Sequence, residues 1–396
     1  MATSLLSRNT RLRVPAQWPA SIHPQVLNEM VEQTPFLLCD LETVRDRYRR
    51  FVSALDGVAC HYAMKCNPAH EVLETLAGIG SKFEVASLGE LGMLQATGVD
   101  PADVLYSNTV KPPAHVAAAY EAGLWRFAFD APRELHKLAR HAPGSSVIVR
   151  VRVDDSDSVF PLSRKFGTDV ADARELMLLA RGLGLRPYGV TFHVGSQCAT
   201  TQPWRQAIGV AGTLMSMLAD DHIELEMLNL GGGFPARYMD DVPSLDNISG
   251  AILSSLDERL PYTPPVIAAE PGRYLVAESA VMVAGVLGRE VRAGENWLHL
   301  DVGAYHGLAE TQQTVGEWRY PLWSSRPDHA SAASVPFTVT GPSCDSSDTM
   351  FRAAMLPADL DVDDRIYIGT AGAYTLSYAS QFNGFPPPTS LFIGKR

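Results

Sequence analysis

The sequence predicts an α/β chain in two parts: a (β/α)8 barrel of the TIM type, then an all-β region joined by the N-terminal arm. Three observations carry this expectation. At 396 residues the chain is longer than one ordinary core encloses. Between residues 34 and 275 short apolar runs alternate with helix-like segments about eight times, the pattern and size of parallel strands with crossover helices. After about residue 280, strand-like runs follow one another with no helix between them. The barrel is therefore expected over residues 30–275, with residues 1–29 and 276–396 forming a β-rich domain.

Taken in order, the first 30 or so residues hold Pro15, Trp18, Pro19 and Pro24 with little periodicity, and read as an arm ending in a short helix near Gln25–Glu32. The alternation starts at Phe36-Leu-Leu-Cys39, followed by helical spacing from Leu41 to Ala54. Val58 to Met64 is a second buried run, stopped by Asn67-Pro68 before a helical pattern from Glu71. Lys82 to Ala86 precedes a helix from Leu88, and Val104 to Tyr106 one from Pro113. Arg126 to Phe129, Ser146 to Val153, Gly189 to His193 and Met227 to Leu230 continue the beat. The later strands are Ala280 to Val291, Trp297 to Val302, Ser334 to Thr340, Arg365 to Ile368 and Thr389 to Ile393.

Composition narrows the function classes. With 33 Lys and Arg against 44 Asp and Glu the formal charge is −11, and no basic tract is present to neutralise a phosphate backbone, which argues against nucleic acid. The N-terminus has too short an apolar run for a signal peptide and no stretch reaches the length of a membrane span, so a cytosolic location is expected. The five cysteines are scattered without zinc or disulfide spacing, and are expected reduced.

Residues that could carry chemistry fall where strands end. Lys65 closes the apolar run His61-Tyr-Ala-Met; an ammonium there must be paired, shifted in pKa or used covalently, unless it simply snorkels to the surface. Ser87 and His193 stand at two further strand ends. Asn229-Leu-Gly-Gly-Gly-Phe-Pro235 places three glycines after a strand, either as a tight turn or as backbone N–H groups curled around an anion such as phosphate. Glu270-Pro-Gly-Arg273 adds a carboxylate and a guanidinium, the latter suited to bidentate phosphate binding or to a surface ion pair.

These motifs carry a resemblance. Tyr62-Ala-Met-Lys-Cys-Asn67, Phe160-Pro-Leu-Ser-Arg-Lys-Phe-Gly167, His193-Val-Gly-Ser196, Gly231-Gly-Gly-Phe-Pro235, Glu270-Pro-Gly-Arg-Tyr274, Gly341-Pro-Ser-Cys-Asp345, Gly372-Ala-Tyr374 and Phe382-Asn-Gly-Phe385 stand in the order found in the alanine-racemase-fold (type III) pyridoxal-phosphate-dependent decarboxylases. The chain resembles their ornithine and lysine decarboxylase branch from about residue 30 to the C-terminus. The resemblance implies a Schiff base between Lys65 and pyridoxal 5'-phosphate, with His193 against the pyridine ring. Ser196, Gly231, Gly232, Gly233, Arg273 and Tyr374 would hold the phosphate, and Glu84 and Arg150 match supporting positions. Glu270 would face the ring nitrogen and keep it protonated, so that the ring accepts the electrons released when Cα loses its carboxylate. Cys344 would return the proton to Cα. In relatives the Cys-Asp pair enters from the partner subunit, which implies a homodimer with two shared sites.

Substrate choice must come from what meets the distal end of the side chain. Asp345 supplies one acid by resemblance, and Phe382 belongs to the same end of the site. A second acid is expected from the stretch Gly307 to Tyr320, where Gln312 and Gln313 stand instead and Glu310 or Glu317 is left to fill the role. The primary expectation is decarboxylation of ornithine or lysine to a diamine. The glutamines leave open a modified or differently substituted amino acid from a specialised pathway. A non-catalytic regulatory homologue is the third reading, weakened by retention of every cofactor residue that can be matched.

Overall fold

The computed structural model describes residues 18, 19, 21–314, 318–326, 329 and 332–395. The apolar runs form strands numbered here in chain order, beginning with β1 (Phe36–Asp40). The barrel strands are β2 (Val58–Ala63), β3 (Lys82–Val85), β4 (Val104–Tyr106), β5 (Arg126–Phe129) and β6 (Ser146–Arg150). After a short β7 (Ser158–Phe160) come β8 (Arg186–Thr191), β9 (Ser196–Cys198), β10 (Met227–Asn229) and β11 (Val266–Ala269). The strands close in the order β2-β3-β4-β5-β6-β8-β10-β11 and back to β2, all neighbours parallel, while β7 and β9 pair as a separate antiparallel ribbon.

Parallel closure explains why these runs are apolar throughout rather than alternating. Side chains pointing outward meet the crossover helices, and those pointing inward fill the barrel. Leu105, Ile148, Tyr188, Met227 and Ala268, from five of the strands, pack together as one inner cluster. Polar caps turn the chain from strand to helix: Asp40 accepts the Glu42 N–H at 3.0 Å and Ser87 the Glu90 N–H at 3.2 Å. Ser87 thus begins the helix Leu88–Ala96.

The second region contains β12 (Ala280–Arg292), β13 (Glu295–Leu300), β14 (Leu322–Ser324), β15 (Ser334–Thr340), β16 (Thr349–Pro357), β17 (Arg365–Ile368) and β18 (Thr389–Ile393). They form a sheet in the order β14-β17-β12-β13-β15-β16, with β1 antiparallel to β12 and parallel to β18.

The position of β1 corrects the sequence-based count. Phe36–Cys39 was expected as the first barrel unit, and the barrel itself from residue 30. In the structure β1 belongs to the β region and the barrel begins at β2. Both faces of β1 are buried, so its apolar run is the same whichever sheet receives it. The described part of the arm also packs on the β region. Trp18, Ile22 and Leu27 join Phe36, Leu38, Val281 and Tyr367, and the Arg365 guanidinium donates to the carbonyls of Leu27, Met30 and Glu32. Among the described residues no helix is long and apolar enough to cross a membrane.

Candidate active site

The C-terminal ends of the barrel strands converge on one cavity. Its lining includes Lys65, His193, Ser196, Gly232, Gly233, Glu270, Arg273 and Tyr374. Lys65 lies in the short turn Met64–Cys66 directly after β2, Glu84 is in β3, Arg150 ends β6, His193 follows β8, and Glu270 follows β11. Strand ends of a parallel barrel gather side chains distant in sequence, and here Lys65 and Glu270 share a wall although more than half the chain separates them.

Electrostatics at the mouth are dominated by carboxylates around one amine. Lys65 Nζ donates to Glu84 Oε2, whose side chain is 2% exposed, while the lysine side chain is 40% exposed and open to a reactant. Burial alone would lower the Lys65 pKa, but the charges of Glu84 and Glu270 outweigh it and hold the ammonium above its usual range. Burial pushes the Glu84 carboxyl up, to about 7, against the pull of Lys65. His193 is held well below the ordinary imidazole range, first by burial and then by the charges of Arg150 and Lys65, so its ring is neutral. Its Nδ1 accepts the Gly195 N–H at 3.0 Å, which leaves Nε2 toward the glycine turn.

That turn is built for close approach. Gly231 and Gly233 have φ of 62° and 106°, conformations an L side chain rarely adopts. A Cβ on Gly232 would fall 2.9 Å from the Glu270 carbonyl and 3.0 Å from His193 Nε2. The turn is pinned by Asn229, which accepts the Gly231 N–H at 3.0 Å and donates to Glu270 Oε1 at 2.6 Å. Ser107, just after β4, donates to the same oxygen. Sequence reasoning gave neither residue a role, although Ser107 stands one position past a strand, where the other site residues were sought.

The β region contributes at two places. The loop Gly372–Tyr374 reaches back to the lysine turn, with Tyr374 N–H donating to the Cys66 carbonyl at 2.7 Å and Asn67 donating to the Gly372 carbonyl at 3.0 Å. The loop Cys344–Asp348 lies elsewhere on the surface. Cys344 is exposed, its Sγ 3.4 Å from Asn383 Oδ1, and Asp345 takes hydrogen bonds from Ser347 and from the Tyr305 hydroxyl at 2.8 Å. Those bonds hold the Asp345 carboxyl below its usual range. Phe382 packs against Tyr305 with the rings tilted by 38° and centroids 4.5 Å apart. Asp348, which sequence reasoning left unassigned, is the buried anchor of this loop, accepting from Ala304 N–H at 2.8 Å and from Ser343.

Among the described residues, Cys344, Asp345, Gln312, Gln313 and Phe382 do not line the lysine cavity of their own chain. Gln312 is exposed and donates to the Thr349 carbonyl at 2.9 Å, and Gln313 is also exposed. Glu310 departs from its expected role. Both its oxygens are taken by Arg273, with 3% of the residue exposed, so it is not available to a substrate amine. Glu317 lies outside the described residues.

A reachable lysine, a neutral imidazole, a glycine cradle and a buried carboxylate in one barrel mouth define a class of enzyme that anchors an aldehyde cofactor by its amine and its phosphate. Comparison with known proteins agrees. Residues 41–277 match the family model for the pyridoxal-dependent decarboxylases, pyridoxal binding domain. The lysine/ornithine decarboxylase of Selenomonas ruminantium is 35% identical over 362 residues, covering 91% of this chain and 90% of that protein. The crystal structure of a Vibrio vulnificus lysine/ornithine decarboxylase with cadaverine superposes with a TM-score of 0.86 at 30% identity, covering 96% of this chain and all of that one. The arginine decarboxylase of Paramecium bursaria Chlorella virus bound to agmatine gives 0.88 at 26% identity, covering 94% of this chain and all of that one. The chain belongs to the pyridoxal-phosphate-dependent amino-acid decarboxylases, in their ornithine/lysine branch. Resemblance of motifs and outcome of comparison coincide.

Proposed function

We propose that this protein decarboxylates a basic L-amino acid, ornithine or lysine, to a diamine and CO2, in the cytosol and as a homodimer. The observation that carries this reading is the shared cavity of Lys65 and Glu270, combined with an acid, Asp345, displayed on the β region. The lining residues suit pyridoxal phosphate: the cradle lacks the Cβ atoms that would crowd it, and the Lys65 side chain is partly exposed while Glu84 is buried. When bound, that cofactor supplies an aldehyde to carry the substrate amine and a ring that accepts an electron pair.

The chain's own residues do the rest. Lys65 would hold the cofactor through its amine. Gly231 to Gly233, Ser196, Arg273 and Tyr374 hold the phosphate, and neutral His193 packs beside the ring without adding charge. Glu84 and Arg150 support the mouth, and Glu270 holds a proton on the ring nitrogen. Cys344 delivers a proton to Cα, and Asp345 meets the distal ammonium. Cys344 and Asp345 do not line their own chain's cavity, which is compatible with their serving a partner's in a two-fold dimer, as the family resemblance implies. The five cysteines are free, four of them buried, in keeping with a reducing compartment.

A substrate panel of ornithine, lysine, arginine and their N-acylated forms, read as released CO2, tests the assignment. Ornithine or lysine is expected to be turned over fastest. Asp345→Asn is expected to raise KM for the preferred diamino acid on the order of 10²-fold, the cost of leaving a desolvated ammonium without its partner. The alternative, a modified amino acid lacking a free distal ammonium, is favoured by one observation: Glu310 is consumed by Arg273, so the short helix Glu310–Gln313 offers amides rather than an acid. Turnover confined to acylated or carbamoylated substrates selects that alternative.

The charge around Lys65 gives a further expectation. Only the neutral amine attacks the aldehyde, and Glu84 keeps the amine protonated to higher pH. In Glu84→Gln the lysine loses that support, its pKa falls, and the pH profile for incorporation of pyridoxal phosphate into apoprotein moves to lower pH. Stopped-flow absorbance across pH reads the shift; an unmoved profile removes Glu84 from this role.

A further inference from the structure

Arg273 is 3% exposed, and all five of its N–H bonds point at something. Nη1 donates to the Tyr238 hydroxyl at 2.9 Å and to Glu310 Oε2 at 2.8 Å, and Nη2 donates to Glu310 Oε1. The other edge faces the cradle: Nη2 and Nε lie 3.2 and 3.4 Å from Ser196 Oγ. Rings close over the guanidinium, Tyr374 at 4.8 Å, Phe160 at 5.2 Å and Trp318 at 5.4 Å from its central carbon. A planar fork so enclosed has one orientation, and the carboxylate on its far end selects it.

We propose that Glu310 is a positioning residue for cofactor binding: by gripping the Nη1–Nη2 end of Arg273 it aims the Nε–Nη2 edge at the phosphate. The inference rests on the assignment of Arg273 to the phosphate given above. Glu310 comes from the short helix Glu310–Gln313 of the β region, so that region, through Glu310 as well as Tyr374, sets how the barrel grips its cofactor.

The competing effect has the opposite sign. Glu310 also cancels the charge of Arg273, and were charge all that mattered, removing it would strengthen phosphate binding. Geometry decides between them. A glutamine at 310 offers one oxygen and one NH2, so it sets a donor against an arginine donor and pushes the fork off its line. An aspartate keeps the charge but is one methylene short of the bidentate grip.

The test is the ratio of apoprotein affinities for pyridoxal phosphate and pyridoxal, which cancels general losses of folding because both ligands need the same barrel. In Glu310→Gln and in Glu310→Asp the preference for the phosphorylated form is expected to fall about tenfold, the worth of one charge-assisted arm. The ³¹P chemical shift of bound cofactor should move in both variants. An unchanged ratio, or tighter phosphate binding in Glu310→Gln, overturns the proposal. Arg273→Met serves as reference. Loss of the preference there with no loss in the Glu310 variants sinks the positioning role alone, whereas an unchanged preference in Arg273→Met sinks the phosphate assignment beneath it.

Discussion

The Lys65→Ala protein is expected to fold, to retain no covalently bound cofactor after gel filtration, and to release CO2 more than about 10⁴-fold more slowly, on the order of 5 kcal/mol of barrier. Lys65 is the amine of the cavity, and the acids beside it belong to the same wall, so no neighbouring residue replaces it. The variant also carries a pH signature. Without Lys65, the buried Glu84 loses the partner that draws its pKa down, and a carboxyl already near 7 rises further. A carboxyl whose folded pKa is raised binds its proton more tightly in the folded state, so its contribution is full below the unfolded value and is lost as pH rises through the folded one. Thermal unfolding of Lys65→Ala apoprotein is therefore expected to trail the parent more at about pH 8 than at about pH 6. Retention of both covalently bound cofactor and turnover in this variant removes the basis for every role assigned above.

The barrel was legible in the sequence because parallel strands buried on both faces leave apolar runs, and crossover helices leave a 3.6-residue rhythm between them. The same property hid the allegiance of β1. Its five buried residues are as compatible with a barrel as with the sheet formed by β12 and β18, and the helix that follows it completes the illusion of a barrel unit. Only pairing across some 240 residues decides, and no local pattern encodes that.

The site divides in the same way. Lys65, His193, the glycines 231 to 233, Glu270, Arg273 and Tyr374 stand in motifs whose local geometry matters, and the structure brings all of them to one cavity or its rim. What escaped are residues that act through another side chain far along the chain. Ser107 reaches Glu270 across 163 positions, and Glu310 reaches Arg273 from a helix first suspected of meeting the substrate. A carboxylate in a short helix looks the same in sequence whether it faces a ligand or an arginine, and burial separates the two.

Glu270→Gln is expected to lower kcat by roughly 10³-fold, about 4 kcal/mol, while leaving KM and cofactor affinity within a few-fold. The contrast follows from what already holds the side chain. Asn229 Nδ2 at 2.6 Å and the Ser107 hydroxyl both donate to Oε1, so in the variant the amide oxygen must take that position and the amide NH2 takes the other. Size and anchoring bonds survive, which preserves binding. In the proposed role of Glu270 the group facing the ring nitrogen would, however, change from an acceptor into an amide donor, and a donor there would oppose a proton on that nitrogen. With that proton less well held by residue 270, stabilisation of the charge developing as the carboxylate leaves would be lost in the transition state and not in the ground state, which is the signature of an effect on kcat alone. Steady-state kinetics with the preferred substrate, set beside cofactor titration of the same preparation, separate the two quantities. A kcat within about tenfold of the parent would show that Glu270 does not govern the ring nitrogen.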